Sequence, residues 1–164
     1  MKKPVINRDD LEFKGHSHGD KFEARVASVA PLIGGSKLGY RVVVLPPGKR
    51  AWPYHAHLVN EELIYVLEGS GTLRHAGEEF PVRAGDFIAS PADRDQPHQL
   101  INTSDDDLSY ICISTMEQPD VFFYPDSDKY GVMAGRAPGD GGENPDFLIF
   151  AREESGVPYW DGED

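Results

Sequence analysis

The fold of this chain is decided by residues 55–69, which read HAHLVNEELIYVLEG. In a β-strand, residues i and i+2 point to the same side, so the spacing of His55 and His57 directs two imidazoles at one point. Glu62 opens the apolar and aromatic run ELIYVLE, which predicts the next strand and lets a carboxylate approach the imidazoles from that strand. The stretch therefore predicts β structure with three ligand-type side chains close together.

His98 adds a fourth ligand-type side chain after a stretch that Gly and Pro interrupt. It would have to come from a third strand. Three neutral imidazoles and one carboxylate suit one divalent transition metal (Mn, Fe, Ni, Co or Zn) and leave coordination positions open for substrate or water. We therefore predict a metal site formed by His55, His57, Glu62 and His98, whose residue types do not select among these metals.

These residues resemble the two sequence motifs of the cupins. The first motif, a glycine, HxH, a glutamate and a glycine, is matched by Gly48, His55, His57, Glu62 and Gly69. The second motif is matched by Gly85, Pro91, His98 and Asn102, and 15 residues lie between Gly69 and Gly85. The resemblance implies the double-stranded β-helix, the jelly-roll barrel of cupins. The tail segments YPDSDKYGV and YWDGE also resemble those of a group of small bacterial cupins.

The chain departs from the motifs at two points. Six residues, rather than five, separate Gly48 from His55, and Asp93 occupies the position of an inner glycine in the second motif. His98 consequently comes two positions later than in the tightest form of the pattern. We expect residues 93–97 to form a wider turn before a strand that begins near His98, which would still bring that imidazole to the metal.

Short runs of β-forming residues, separated by Gly, Pro, Asn and Asp, predict an all-β barrel over residues 39–124. They are GYRVVVL (39–45), WPYHAH (52–57), ELIYVLEG (62–69), GTLRHAG (71–77), EEFPVRAG (78–85), DFIASP (86–91), HQLIN (98–102) and LSYICIST (108–115). Because the third run is apolar at both parities, its two faces should both be covered. A second subunit is the economical cover, and we predict a homodimer.

The two ends read as extensions of the barrel. Residues 1–38 form an N-terminal extension that packs on the barrel, in which His16 and His18 are interpreted as an exposed loop. Residues 125–164 form a C-terminal extension with a Gly/Pro-rich loop, GRAPGDGGENP at 135–145. Tyr159 and Trp160 suggest an aromatic anchor that packs on the barrel or on a second subunit.

Composition excludes several classes of protein. The 16 basic residues stand against 28 acidic ones, a net charge of −12 that argues against binding nucleic acid. No signal-type apolar segment or apolar window of about 18 residues is present, which predicts a soluble cytoplasmic protein with no membrane partner. The single cysteine, Cys112, cannot form an internal disulfide and is interpreted as a buried filler.

The site predicts a metal-dependent enzyme that acts on a small polar molecule. The resemblance to cupins implies a sugar or sugar-phosphate isomerase or epimerase, a decarboxylase, or an iron-dependent dioxygenase. The alternative is a small-molecule binding or sensing module without turnover, which the absence of an evident general base favours. Trp52, Tyr54 and Arg50 are candidates for the substrate pocket, and Lys49 and Arg94 are the other cations near the ligands in sequence.

Overall fold

The computed structural model describes residues 3–135 and 146–163. The described residues form thirteen β-strands, one short α-helix and three 3₁₀ turns. The strands are β1 (Lys14–His18), β2 (Phe22–Ser28), β3 (Leu38–Leu45), β4 (Ala56–His57), β5 (Glu62–Glu68), β6 (Ser70–His75), β7 (Glu78–Arg83), β8 (Phe87–Ser90), β9 (His98–Ile101), β10 (Leu108–Thr115), β11 (Asp120–Tyr124), β12 (Lys129–Ala134) and β13 (Phe147–Ala151). The helix α1 is Ala30–Ile33, and the 3₁₀ turns are Arg8–Asp10, Pro125–Ser127 and Glu153–Ser155.

The strands form three groups joined by antiparallel pairing. The largest has the order β1-β2-β3-β10-β5-β8, the second β7-β6-β9, and the third β13-β12-β11-β4. The core joins the first two groups, because Val43, Ile64 and Tyr110 of the large sheet cluster with Leu73 and Leu100 of the three-stranded one. This is the all-β, double-stranded β-helix that the sequence predicted.

In strand β5, alternate residues face the inside and the outside of the barrel. Glu62, Ile64 and Val66 are at most 4% exposed, whereas Leu63 is 37% exposed. Because successive side chains of a strand point to opposite faces, the Glu62 carboxylate faces into the barrel on the same side as Ile64 and Val66. Glu62, Ile64 and Val66 therefore form the buried face of this strand.

Two of the strand predictions need correction. The segment WPYHAH forms a strand only at Ala56–His57, since Pro53 lacks a backbone N–H and interrupts the ladder. His16 and His18 do not form a loop, because they belong to β1, which pairs with β2 along its whole length. Gly19 adopts φ +54 in the turn between these two strands and leaves β1 itself intact.

The extensions continue the sheets of the barrel. The N-terminal strands β1 and β2 add to the large sheet next to β3, and the C-terminal strands β12 and β13 add to β11. Tyr159 and Trp160 are 84% and 73% exposed, so within this chain they do not pack on the barrel. Most of the predicted Gly/Pro-rich loop, residues 136–145, lies outside the described residues. In the described ranges, no helix has the length and hydropathy needed to cross a bilayer.

Candidate metal centre

The ends of three strands, one from each of the three groups, bring the four candidate ligands together. His57 ends β4, Glu62 begins β5 and His98 begins β9, and each of the three is at most 4% exposed. His55 precedes β4 and pairs with His98 through two backbone hydrogen bonds, 2.7 Å and 3.2 Å long. The strand that starts at His98 follows the wider turn predicted for residues 93–97, so the insertion does not remove this histidine from the cluster.

Three of the four side chains form the tightest group. One donor atom from each of His55, Glu62 and His98 lies within 4.8 Å of the other two. His98 Nε2 is 3.1 Å from Glu62 Oε2. His55 donates from Nδ1 to the Pro53 carbonyl oxygen at 2.8 Å, which leaves its Nε2 as the free donor atom. A His-His-Glu group is therefore positioned for a metal ion.

His57 stands beside this group and is oriented by a carboxylate that the sequence analysis missed. Its Nδ1 donates to Asp120 Oδ2 at 2.7 Å, and Asp120 is fully buried. Its Nε2 lies 3.6 Å from Glu62 Oε2 and has no hydrogen-bond partner. A ring nitrogen whose lone pair faces a carboxylate is unfavourable unless a proton or a cation lies nearby.

Burial and mutual charge set the protonation of the cluster. Burial, with the nearby charges of His98 and His57, lowers the pKa of His55 to about 3. Burial alone would raise the pKa of Glu62, but the hydrogen bond from His98 and the charges of the two buried imidazoles hold it well below its usual range. Burial opposes the charged form of His57, yet the hydrogen bond to Asp120 and the charge of Glu62 raise its pKa.

The donor set fits a divalent transition metal. It offers imidazole nitrogens and one ionised carboxylate, and His57 Nε2 is a buried nitrogen without a partner that faces the same carboxylate. Asp120 holds His57 in the tautomer that leaves Nε2 unprotonated, which is the arrangement in which a carboxylate supports a metal-bound histidine. The residues present therefore suit such an ion.

Two small cavities meet at His55. An inner cavity of about 20 Å³ extends into the barrel between Glu62 and Cys112. An outer cavity of about 140 Å³ opens beside it, and its lining consists of Arg41, Trp52, Pro53, His55, His57, Phe122 and Tyr124. These volumes suit a small molecule that reaches the ligands from the outer side.

The outer cavity contains two polar residues that the sequence analysis did not single out. Arg41 projects from β3, and its Nη2 is 3.9 Å from Glu62 Oε1. Tyr124 from β11 lies 5.9 Å from the His55 ring, and burial raises the pKa of its phenol to about 12, so it stays protonated. Both lie outside the two motifs, in the runs GYRVVVL and DVFFY, which are apolar at both parities and so do not indicate which way either side chain faces.

The three predicted pocket residues lie in different surroundings. Trp52 lines both cavities and stacks on His16 of β1 at a centroid distance of 4.6 Å. Tyr54 is buried, and its hydroxyl accepts a hydrogen bond from the Gly77 amide at 3.0 Å, on the side of the β6–β7 turn. Arg50 donates to Gln99 at 3.4 Å.

Comparisons with known proteins agree with this architecture. The model of the Cupin domain family matches residues 41–114. The uncharacterized protein MJ1618 of Methanocaldococcus jannaschii is 32% identical over 112 residues, 68% of this chain and 78% of that protein. The oxalate-binding protein of Thermotoga maritima is 32% identical over 69 residues, 42% of this chain and 54% of that protein.

A solved structure extends the likeness to the extensions. The crystal structure of a putative sugar phosphate isomerase from Acidithiobacillus ferrooxidans superposes with a TM-score of 0.80, at 22% identity, and covers 95% of this chain and 96% of that one. Barrel and family match define a cupin in which a His-His-Glu group is positioned for a metal ion. This chain belongs to the cupin family.

Proposed function

We propose that this cupin is a metal-dependent enzyme that acts on a small polar molecule, in the manner of a sugar or sugar-phosphate isomerase or epimerase. The observation that carries the proposal is the buried cluster of His55, His57, Glu62 and His98, open on one side to a cavity. A divalent metal there would polarise a carbonyl oxygen of the substrate. The likeness over nearly the whole chain to the putative sugar phosphate isomerase from Acidithiobacillus ferrooxidans supports the isomerase subtype.

The chain's own residues supply binding and orientation. His98 Nε2 and Glu62 Oε2 lie 3.1 Å apart, close enough to serve as ligand atoms of one ion, and Asp120 fixes the His57 ring. Tyr124, whose phenol stays protonated, can donate a hydrogen bond to a substrate oxygen in the outer cavity. Trp52 and Phe122 close the sides of this cavity with apolar surface and exclude water from them.

Metal analysis and proton exchange test this proposal together. Natively purified protein should contain one equivalent of divalent metal per chain, and the double variant His55→Ala/His57→Ala should lose it. In D₂O, the metal-loaded enzyme should exchange the hydrogen on the carbon next to the carbonyl of an accepted aldose or ketose (or its phosphate), observed by proton NMR. His18→Ala, on β1 away from the ligand cluster, is the matched control. Metal retained by the double variant would contradict the site.

A second candidate is a binding module without turnover. The name of the Thermotoga maritima relative, an oxalate-binding protein, and the small volume of the outer cavity favour it. In that case a small carboxylate would bind with a stoichiometry of one per metal, and no carbon-bound hydrogen would exchange. A third outcome, oxygen consumption by the iron-loaded protein, would assign the dioxygenase alternative.

A further inference from the structure

Arg41 is a cation inside the cavity that contains the candidate ligands. It lies on β3, and its side chain is 20% exposed. It lines the outer cavity together with His55 and His57. A partly buried guanidinium differs from that of a surface arginine, since removing such a charge from solvent is unfavourable unless it has a partner.

The neighbours of Arg41 leave most of its hydrogen-bonding capacity unused. Its nearest carboxylate in the described part of the chain, Glu62, is 3.9 Å away, beyond hydrogen-bond distance. The guanidinium carbon lies 4.8 Å from the centre of the Trp52 ring, a contact that uses the face of the cation and not its N–H groups. The Cys112 thiol beside it is a weak acceptor. The planar fork of donors is therefore available to a ligand.

The cations that the sequence suggested are absent from the linings of the two cavities that meet at His55. Lys49 pairs with Glu23 at 3.8 Å, and Arg94 lies over the Phe123 ring at 4.3 Å. Arg50 donates to the Gln99 side chain at 3.4 Å. Arg41 is thus the arginine that shares a cavity with the histidine ligands in the described residues.

We propose that Arg41 binds the oxyanion group, a carboxylate or a phosphate, of a small substrate whose remaining oxygens lie at the metal. This inference deepens the proposed function and rests on it. A guanidinium edge fits two oxygens of a carboxylate or phosphate at once, and Trp52 holds the plane of the guanidinium from the side. The outer cavity of about 140 Å³ limits the substrate to a short chain.

Calorimetry on the Mn²⁺-loaded full chain tests the assignment with two probes, oxalate and inorganic phosphate. Arg41→Gln should weaken binding of one or both by tenfold or more, because a charge-assisted bidentate contact is lost. Mn²⁺ affinity should stay equal or rise, since a positive charge beside Glu62 has been removed. Arg25→Gln, an exposed arginine of β2 that pairs with Asp107, is the matched control.

The outcomes separate this inference from the proposed function. If Arg41→Gln weakens the binding of oxalate alone, the substrate carries a carboxylate. If it weakens the binding of phosphate alone, the substrate is a phosphate ester. Unchanged affinity for both probes, with Mn²⁺ still bound, overturns the role of Arg41 and leaves the metal enzyme standing. If wild type binds no Mn²⁺, the proposed function fails, and the metal-free titration of the same variants still decides Arg41. Should Arg41→Gln not fold, Arg41→Lys decides, with a loss of about fivefold or more expected because the ammonium lacks the planar fork.

Discussion

His57 differs from the other two histidines in having a buried carboxylate behind it. Asp120 accepts the Nδ1 hydrogen at 2.7 Å, and the opposite nitrogen faces Glu62 without a partner. A ring held in this way presents its lone pair at a fixed angle. The conformational entropy of the His57 ring is therefore lost during folding and not when metal binds. Asp120 is therefore a positioning residue, and it acts through His57.

Replacing Asp120 isolates that positioning effect. Asp120→Asn should weaken divalent metal affinity by about 10- to 100-fold, because the amide no longer fixes the His57 tautomer. The measurement is a metal titration against a competing chelator, with circular dichroism to confirm folding. Asp126→Asn, whose carboxylate pairs with Arg74 at 2.8 Å, is the matched control. An affinity equal to wild type in Asp120→Asn would contradict the role.

The depressed pKa of His55 predicts how the metal-free protein responds to acid. The pKa of the His55 imidazole is 6.5 in the unfolded chain and about 3 in the folded protein. Between these values the unfolded state holds more protons, so stability is full above pH 6.5 and falls as pH is lowered. His55→Gln should flatten the slope between pH 6.5 and 4.5 in urea unfolding, above the range in which Glu62 contributes. A slope in His55→Gln equal to that of wild type would refute the effect.

At the scale of elements, two motif glycines have positive φ angles for different reasons. Gly69 follows β5 and has φ +81, and a Cβ there would collide with the carbonyl oxygen of Asp107, the residue before β10. Gly85 has φ +95, but its Cβ would meet open space. The first glycine is needed for conformation and for close approach, the second for conformation alone.

The pair gives a prediction with its own internal control. Gly85→Ala should lower the free energy of unfolding by about 1–2 kcal/mol, the cost of a left-handed conformation for a residue with a Cβ. Gly69→Ala should cost about 3 kcal/mol or more, because β10 must also shift away from β5. Urea unfolding measures both. Equal losses in the two variants would show that the contact with Asp107 is relieved without cost.

The strands also show which features of the structure can be predicted from short stretches of sequence. The strands and the four clustered side chains could be predicted because alternation and motif spacing are properties of short stretches, as β5 illustrates. The presence of Arg41 and Asp120 at the site could not be predicted, because each residue is brought there by pairing between strands that are distant in sequence. The strand that contains His16 was missed because it is an edge strand with polar residues, which adds to β2 without an apolar alternation of its own.

At the scale of the whole molecule, apolar surface remains exposed on the C-terminal extension. β13 is at the edge of its sheet, and its residues Phe147, Leu148, Ile149 and Phe150 are 43–53% exposed. Val157, Tyr159 and Trp160 follow and are 72–84% exposed. An apolar edge strand with free backbone groups favours pairing with another chain. A second copy supplies a complementary strand of the same kind, which supports a two-fold dimer.

We expect this chain to be a homodimer, with a mass twice the 18.2 kDa of one chain by light scattering at micromolar concentration. A stable two-fold contact of standard size buries about 1,600 Å² in total, and β13 with the aromatic tail is the surface we expect to form it. Ile149→Lys places a charge on this surface and should shift the mass toward the monomer, because a buried unpaired ammonium opposes association. Val5→Lys puts the same charge on another exposed aliphatic residue, 60% exposed, and should leave the mass unchanged. If wild type is a monomer under these conditions, the exposed strand has a different partner and the dimer is refuted.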